Sequence, residues 1–74
     1  MSSLPIISGR ELVRAMRKLG YELDRQQGSH MVLRQVRAPF RRLVVPDHKE
    51  IAKGTLRAIV RQAGISIERL KSLL

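Results

Sequence analysis

Three strand-like stretches lie close together in the middle of this chain, and their grouping restricts the fold more than any other feature. Residues 21–25 alternate apolar with charged side chains, which is typical of a half-buried strand. Residues 30–35 and 41–45 are apolar-rich runs of similar length. Only short turns, at residues 26–29 and 37–40, separate the three stretches. We therefore expect the strands to pair in antiparallel order.

Alternation along a strand also predicts which side chains point toward the core, because successive residues face opposite sides of a sheet. The residues expected to point inward are Tyr21, Leu23, Met31, Leu33, Leu43 and Val45. His30, Val32 and Arg34 would then share the outer face, and Arg42 would also point outward. In the turn between the first two strands, Gly28 is free to take a positive φ angle.

A helix start is clearly marked before the strands. Ser8 and Glu11 stand three residues apart and match the capping box that opens many helices. Apolar residues follow at helical spacing, and Gly20 is the expected stop. We therefore predict a first helix over residues 9–19.

A second helix is predicted over residues 55–63, after the strands. Its apolar stripe consists of Leu56, Ile59, Val60 and Ala63. Gly64 ends this helix, and Ser66 caps a short third helix. Residues 1–74 are thus expected to form a single α+β domain with a three-stranded antiparallel sheet. The helices should cover one face of the sheet and leave the other face open and basic.

The charge balance indicates a nucleic-acid partner. The chain has 15 lysine and arginine residues against 6 acidic residues, which gives a formal charge of +9. Such an excess on a small domain is typical of nucleic-acid binding. The aromatic residues are only Tyr21 and Phe40, which argues against a protein that stacks bases on several rings.

The composition also predicts the compartment. The chain has no cysteine, which is typical of a reducing cytoplasm. The apolar run at residues 4–7 is interrupted by a proline and is too short to span a membrane. We expect a cytoplasmic protein without a membrane partner.

His30 is the strongest candidate for chemistry. RNA carries its own nucleophile, the 2′-hydroxyl group, so its cleavage needs a base, an acid and cations near the phosphate. Histidine can serve as base or acid near neutral pH. The chain has two histidines and no acidic cluster, so neither a metal nor another cofactor is expected. The alternative is that His30 only forms a hydrogen bond within the turn.

Other residues are candidates to support this chemistry. Gly28 and Ser29 would set the turn before His30, and the Ser29 hydroxyl group could also donate a hydrogen bond to phosphate. His48 is either a capping or solvent-facing residue or the second member of an acid–base pair. Five cationic side chains could hold RNA phosphates, although each one taken individually is better explained as a solvated surface charge. They are Arg25, Arg34, Arg42, Lys49 and Lys53.

Two other functions remain open at this point. The chain could be an RNA-binding module that does not cut its ligand. It could also bind DNA, because residues 56–74 contain a helix, a glycine-containing turn and a second helix, as in a helix-turn-helix. That second helix would be short and would offer few polar side chains to read bases.

Several short motifs match one known family in order and spacing. They are Ser8-Gly9-Arg10-Glu11-Leu12, Lys18-Leu19-Gly20-Tyr21, Gly28-Ser29-His30, Val45-Pro46-Asp47-His48, Lys53-Gly54-Thr55-Leu56 and Gln62-Ala63-Gly64-Ile65. On these motifs, from Ser8 to about Leu70, the chain resembles the HicA toxins of bacterial toxin–antitoxin systems.

This resemblance implies a particular fold and activity. The fold would be similar to the double-stranded-RNA-binding domain, in the order α-β-β-β-α. The protein would be the toxin of a type II system, a metal-independent endoribonuclease that cleaves messenger RNA with a single catalytic histidine. That histidine of the family falls on His30. The resemblance also implies that a HicB-like antitoxin holds the toxin inactive.

Overall fold

The computed structural model describes residues 3–74 as one helix, three strands and two further helices. In chain order these are α1 (Gly9–Arg17), β1 (Tyr21–Gln27), β2 (His30–Gln35), β3 (Arg42–Pro46), α2 (Lys53–Ala63) and α3 (Ile67–Leu73). This α+β order confirms the predicted fold class. The bounds of most elements differ from the prediction by one or two residues.

The three strands form one open sheet in the order β1-β2-β3, with both neighbouring pairs antiparallel. This confirms the predicted topology. β1 continues to Gln27, two residues beyond its predicted end, because only Gly28 and Ser29 are needed to reverse the chain. The register shifts between Leu23 and Arg25, which marks a bulge at Asp24.

The helices pack on one face of the sheet, as predicted, and the core lies between the two layers. The largest fully buried side chains come from all three helices and all three strands: Leu12, Met16, Tyr21, Leu33, Leu43, Val45, Leu56 and Leu70. On the opposite face of the sheet, here called the outer face, residues 3–74 place no helix. At about 25 cal/mol per Å² of apolar area, this burial is the main source of stability in so small a domain.

One buried side chain of β1 has a polar group that lacks a hydrogen bond. Tyr21 is 1% exposed, and its hydroxyl group has no hydrogen-bond partner within residues 3–74. Burial raises the pKa of this hydroxyl group, because the phenolate form would lose its hydration, and the positive charge of Arg41 opposes the shift. The ring therefore serves the core through its apolar area.

Two strand residues differ in exposure from the prediction. Leu23 pairs with Leu33 and lies on the helix side of the sheet, as predicted, but it is 41% exposed and is not part of the buried core. Leu23 lies on the edge strand beside an open groove along α1, where no helix covers it. Val32 points to the outer face, as expected, yet is 4% exposed. It lies on the central strand, between its cross-strand partners Arg25 and Val44.

The predicted capping box opens α1. The Ser8 hydroxyl oxygen accepts the Glu11 N–H at 3.1 Å, and the Glu11 carboxylate accepts the Ser8 N–H at 2.9 Å. These bonds lower the pKa of Glu11, the bond from the Ser8 backbone most of all. The helix ends at Arg17, before its predicted end, and Gly20 closes the following turn with a φ of 87°.

The ends of α2 and α3 differ in how clearly capping residues mark them. α2 begins at Lys53, two residues before its predicted start. Its N-cap residue, Ala52, makes no side-chain hydrogen bond, so no capping residue in the sequence marks this start. Gly64 ends α2 with a φ of 71°, and the Ser66 hydroxyl oxygen caps α3 at 3.0 Å. Within residues 3–74, no helix is long and apolar enough to cross a membrane.

Gly9 lies where the start of α1 meets the chain that leaves β3. A methyl group at this position would overlap the carbonyl oxygen of Pro46 and lie 3.2 Å from the Asp47 Cα atom. Both neighbours are backbone atoms that cannot rotate away. We expect Gly9→Ala to lower the free energy of unfolding by about 1–3 kcal/mol in denaturant titrations.

Gly54 provides the matched control for this prediction. It lies in the first turn of α2, and a methyl group there would meet nothing within 4 Å. Gly54→Ala should leave the protein unchanged or stabilise it by up to about 1 kcal/mol, because alanine loses less backbone freedom on folding. Equal effects of the two substitutions would show that the α1–Pro46 contact is not tight.

Candidate active site

A two-residue hairpin turn places His30 at the start of β2. Gly28 has a φ of 57°, as its position in the turn predicted, and a methyl group there would meet nothing within 4 Å. His30 pairs with Gln27 of β1 and with Pro46 of β3. Its side chain is exposed and lies on the outer face. The imidazole is therefore open to a large ligand.

Three of the predicted cationic residues share this face with His30. Arg25 is the cross-strand partner of Val32, which is the next residue after His30 on the outer face of β2, so these partners form the row beside His30. Arg34 and Arg42 are cross-strand partners one row further on, and the Cα atoms of His30 and Arg34 are about 13 Å apart along β2. All three arginines are exposed. Glu22 is the cross-strand partner of Arg34 on β1, so this cationic face also includes an acidic side chain.

The loop between β3 and α2, residues 47–52, is fixed by three backbone hydrogen bonds. The Asp47 N–H donates to the Ser29 carbonyl group at 2.6 Å. The Gly9 N–H donates to the His48 carbonyl group at 2.9 Å, and the Ile51 N–H donates to the Ile7 carbonyl group at 3.0 Å. The loop is therefore attached both to the turn that precedes His30 and to the start of α1.

His48 lies in this loop, at the same end of the sheet as His30. It follows two residues after Pro46, whose Cα atom is the partner of His30 in the ladder, and its side chain is exposed. Lys49 comes next and Lys53 opens α2, and both are exposed. The five predicted phosphate-binding residues thus divide between the outer face of the sheet and the segment that follows β3.

Asp47 connects this loop to α1 and β1, a role that the sequence motifs did not predict. Its carboxylate accepts hydrogen bonds from the Arg10 guanidinium group at 3.2 Å and 3.5 Å and from the Gln26 amide at 3.3 Å. The same Gln26 amide donates to the Gly28 carbonyl group at 3.1 Å. We call Arg10, Gln26 and Asp47 the Asp47 clamp. It joins α1, β1 and the loop that carries His48, and no local pattern could reveal it.

The clamp changes the acidity of its own members. The Arg10 guanidinium group, through its hydrogen bond to the carboxylate, lowers the pKa of Asp47, and burial opposes this shift. The pKa of Arg10 is raised by the same contact. Because the pKa of Asp47 is lower in the folded state than in the unfolded state, ionised Asp47 stabilises the fold above its unfolded pKa. That stabilisation is lost as the pH falls through the folded pKa.

This linkage gives a prediction for Asp47→Asn. The variant should have a slightly lower Tm than the wild type at pH 7, because Arg10 is largely exposed and such pairs contribute little. The difference should shrink as the pH is lowered through the range in which Asp47 titrates. Arg10→Gln should show the same pH dependence. A Tm difference that grows on acidification would contradict the assignment.

The described residues, 3–74, contain no cluster of three histidine, cysteine, aspartate or glutamate side chains that could hold a metal ion. What the site offers is an exposed imidazole, a second histidine at the same end of the sheet and arginines on the same face. These groups can exchange protons and stabilise phosphate charge.

Fold and site together define a small, strongly basic α+β domain with an exposed histidine on an open sheet face. The family model described as "HicA toxin of bacterial toxin-antitoxin" matches residues 9–65 of the 74-residue chain, and the chain belongs to this family. Family membership implies a toxin with a cognate antitoxin partner. A comparison with curated proteins finds no match.

Proposed function

We propose that this protein is a metal-independent endoribonuclease that cleaves messenger RNA and uses His30 as its catalytic residue. The observation that carries the proposal is the place of His30: exposed, at the start of β2, on a sheet face that also holds three arginines. Membership of a toxin family supports it. Messenger RNA as substrate places the protein in the cytoplasm.

The chemistry needs only groups that this chain and RNA supply. A base removes the proton of a 2′-hydroxyl group, and the oxygen attacks the adjacent phosphorus. The bond from phosphorus to the 5′-oxygen breaks, and an acid gives that oxygen a proton. The products are a 2′,3′-cyclic phosphate and a free 5′-hydroxyl group. His30 takes one of the two proton-transfer roles, and His48, at the same end of the sheet, is the candidate for the other.

The cationic residues would hold the RNA during this reaction. Arg25 lies one row from His30 on the outer face, and Arg34 and Arg42 lie side by side in the next row, so the three suit phosphates at increasing distance from the scissile bond. Lys49 and Lys53 follow β3 in the chain and are exposed, so they would hold further phosphates of the RNA. Gly28 and Ser29 shape the turn, and the Ser29 hydroxyl group is exposed and free to donate to phosphate.

The decisive test uses purified protein and a defined single-stranded RNA. We expect cleavage with and without a metal chelator, and products that end in a cyclic phosphate. The matched control is the same oligonucleotide with a single 2′-deoxyribose at the cleaved position, which should remain intact. Bound but uncut RNA would instead support a binding module, and binding restricted to duplex DNA would support the helix-turn-helix alternative.

The geometry of the last two helices bears on that alternative. α3 has seven residues, and its Leu70 and Leu73 are buried in the core. The polar residues left on its surface are Glu68, Arg69, Lys71 and Ser72. This helix therefore offers a short reading surface in comparison with the recognition helices of DNA-binding motifs.

A further inference from the structure

The turn between β2 and β3 exposes an aromatic ring that the core does not use. Phe40 is 56% exposed and lies outside the core cluster. The chain has only one other phenylalanine or tyrosine, Tyr21, which is buried. Phe40 lines one hollow with two other exposed apolar side chains, Leu23 and Val36, and an exposed apolar patch of this kind is a candidate contact for a ligand.

Hydrogen bonds at both ends of the turn fix the backbone that carries this ring. The Phe40 N–H donates to the Arg37 carbonyl group at 2.8 Å, and Phe40 has a φ of 55°. Gln35 and Arg41 are joined by two bonds, of 2.9 Å between backbone groups and 3.0 Å from the Arg41 N–H to the Gln35 side chain. The Arg41 guanidinium group reaches the Gln62 carbonyl group of α2 at 3.4 Å. Because the backbone of the turn is already fixed, only the side-chain torsions of Phe40 have to be ordered when a ligand binds.

The segment that carries Phe40 is rich in arginine. Residues 34–42 contain four arginines and no acidic residue. Arg41 is engaged with α2, whereas Arg34 and Arg42 lie side by side on the outer face. Two acids, Glu22 and Asp24, border the same hollow from β1. Carboxylates at that border could accept hydrogen bonds from the exocyclic amino group of a base.

Phe40 also lies within reach of a strand bound at His30. It lines one hollow with Arg34, and Arg34 is on the outer face, about 13 Å along β2 from His30. An RNA strand of several nucleotides could therefore touch both places. A dinucleotide bound at His30 could not.

From these observations we infer that the Phe40 turn is a second RNA subsite, in which an unpaired base stacks on Phe40 while Arg34 and Arg42 hold the neighbouring phosphates. An aromatic face beside arginines is the arrangement that binds single-stranded RNA without strict sequence preference. The inference rests on the proposed function, because it assumes that RNA lies on the outer face. It adds to that function a length requirement and a preference for single strands.

The chain offers a direct probe of stacking, because it contains no tryptophan. Phe40→Trp, combined with His30→Ala to prevent cleavage, provides a single fluorescent indole at the proposed subsite. Titration with a short single-stranded RNA should quench this fluorescence. An abasic ribose-phosphate oligomer of the same length should bind without quenching it. Quenching of equal size by both oligomers would overturn stacking.

Affinity measurements in the His30→Ala protein separate stacking from charge. Phe40→Ala should weaken RNA binding about tenfold, with an unchanged dependence of log K on log salt, because no phosphate contact is lost. Phe40→Leu keeps an apolar side chain without a ring and should lose as much. Arg42→Gln should instead reduce the salt slope by about one phosphate contact. Full affinity in Phe40→Leu would overturn the inference.

Cleavage assays keep this inference distinct from the proposed function. With intact His30, Phe40→Ala should raise the KM for a long RNA and leave cleavage of a dinucleotide unchanged. If the wild type cuts RNA but the indole fluorescence does not respond and Phe40→Ala binds normally, the subsite is refuted while the nuclease stands, and Phe40 is assigned to a protein contact. If the wild type neither binds nor cuts RNA, both are refuted.

Discussion

Replacing His30 with alanine is expected to reduce the rate of RNA cleavage by about 10²- to 10⁴-fold, the usual contribution of a general acid or base. The fold should survive. His30 is exposed at the start of β2 and fills no part of the core, so the free energy of unfolding should change by less than about 0.5 kcal/mol. The measurement compares initial cleavage rates with denaturant titrations of the same preparations.

Two further variants sharpen this test. His30→Gln keeps a side chain that can form hydrogen bonds but cannot exchange protons near neutral pH. It should be as inactive as His30→Ala if His30 acts in proton transfer, and active if His30 only supports the turn. His48→Ala tests the other exposed histidine of the chain, and a comparable loss there would assign it the second proton transfer. A His30→Ala protein that cuts RNA at nearly the wild-type rate would refute the catalytic assignment.

The second large effect concerns the antitoxin. A nuclease that acts on the cell's own messages must be silenced until it is needed, and the charge of +9 suits an acidic partner. We propose that a HicB-like antitoxin docks over the outer face. It would cover His30 and some of Arg25, Arg34, Arg42 and Lys53. A stoichiometric titration with the product of the neighbouring gene should therefore abolish cleavage.

The same docking mode predicts how association responds to salt. Charge-driven encounter slows as ions screen it, because the Debye length falls from about 10 Å at 0.1 M to about 3 Å at 1 M. Arg34→Gln and Arg42→Gln should weaken this salt dependence. Arg61→Gln, on the exposed surface of α2, is the matched control and should leave it unchanged.

Binding should also stabilise the toxin by mass action, since a partner that binds only the folded domain raises its Tm as the partner concentration rises. The rise in Tm shows, independently of the cleavage assay, that the complex has formed. Full nuclease activity in a saturated, stabilised complex would show that the partner leaves His30 open. The masking mechanism would then be wrong.

Much of the fold could be predicted because its signals are local. The Ser8–Glu11 box opens α1 through bonds within four residues of chain, and Gly64 ends α2 through its own backbone angle. Gly28 takes the positive φ that its place in the turn suggested. The position of His30 at the head of β2 follows from the same turn. Neighbours in sequence determine each of these features.

What the sequence could not determine depends on contacts between distant segments. The exposure of Leu23 depends on how far α1 extends over an edge strand, and the burial of Val32 depends on its place between two other strands. The close approach of Gly9 to Pro46 arises only once α1 packs against the end of β3. The Asp47 clamp joins residues up to 37 positions apart in the chain. Only the folded chain brings these groups together, because packing and not local preference sets the distance between segments.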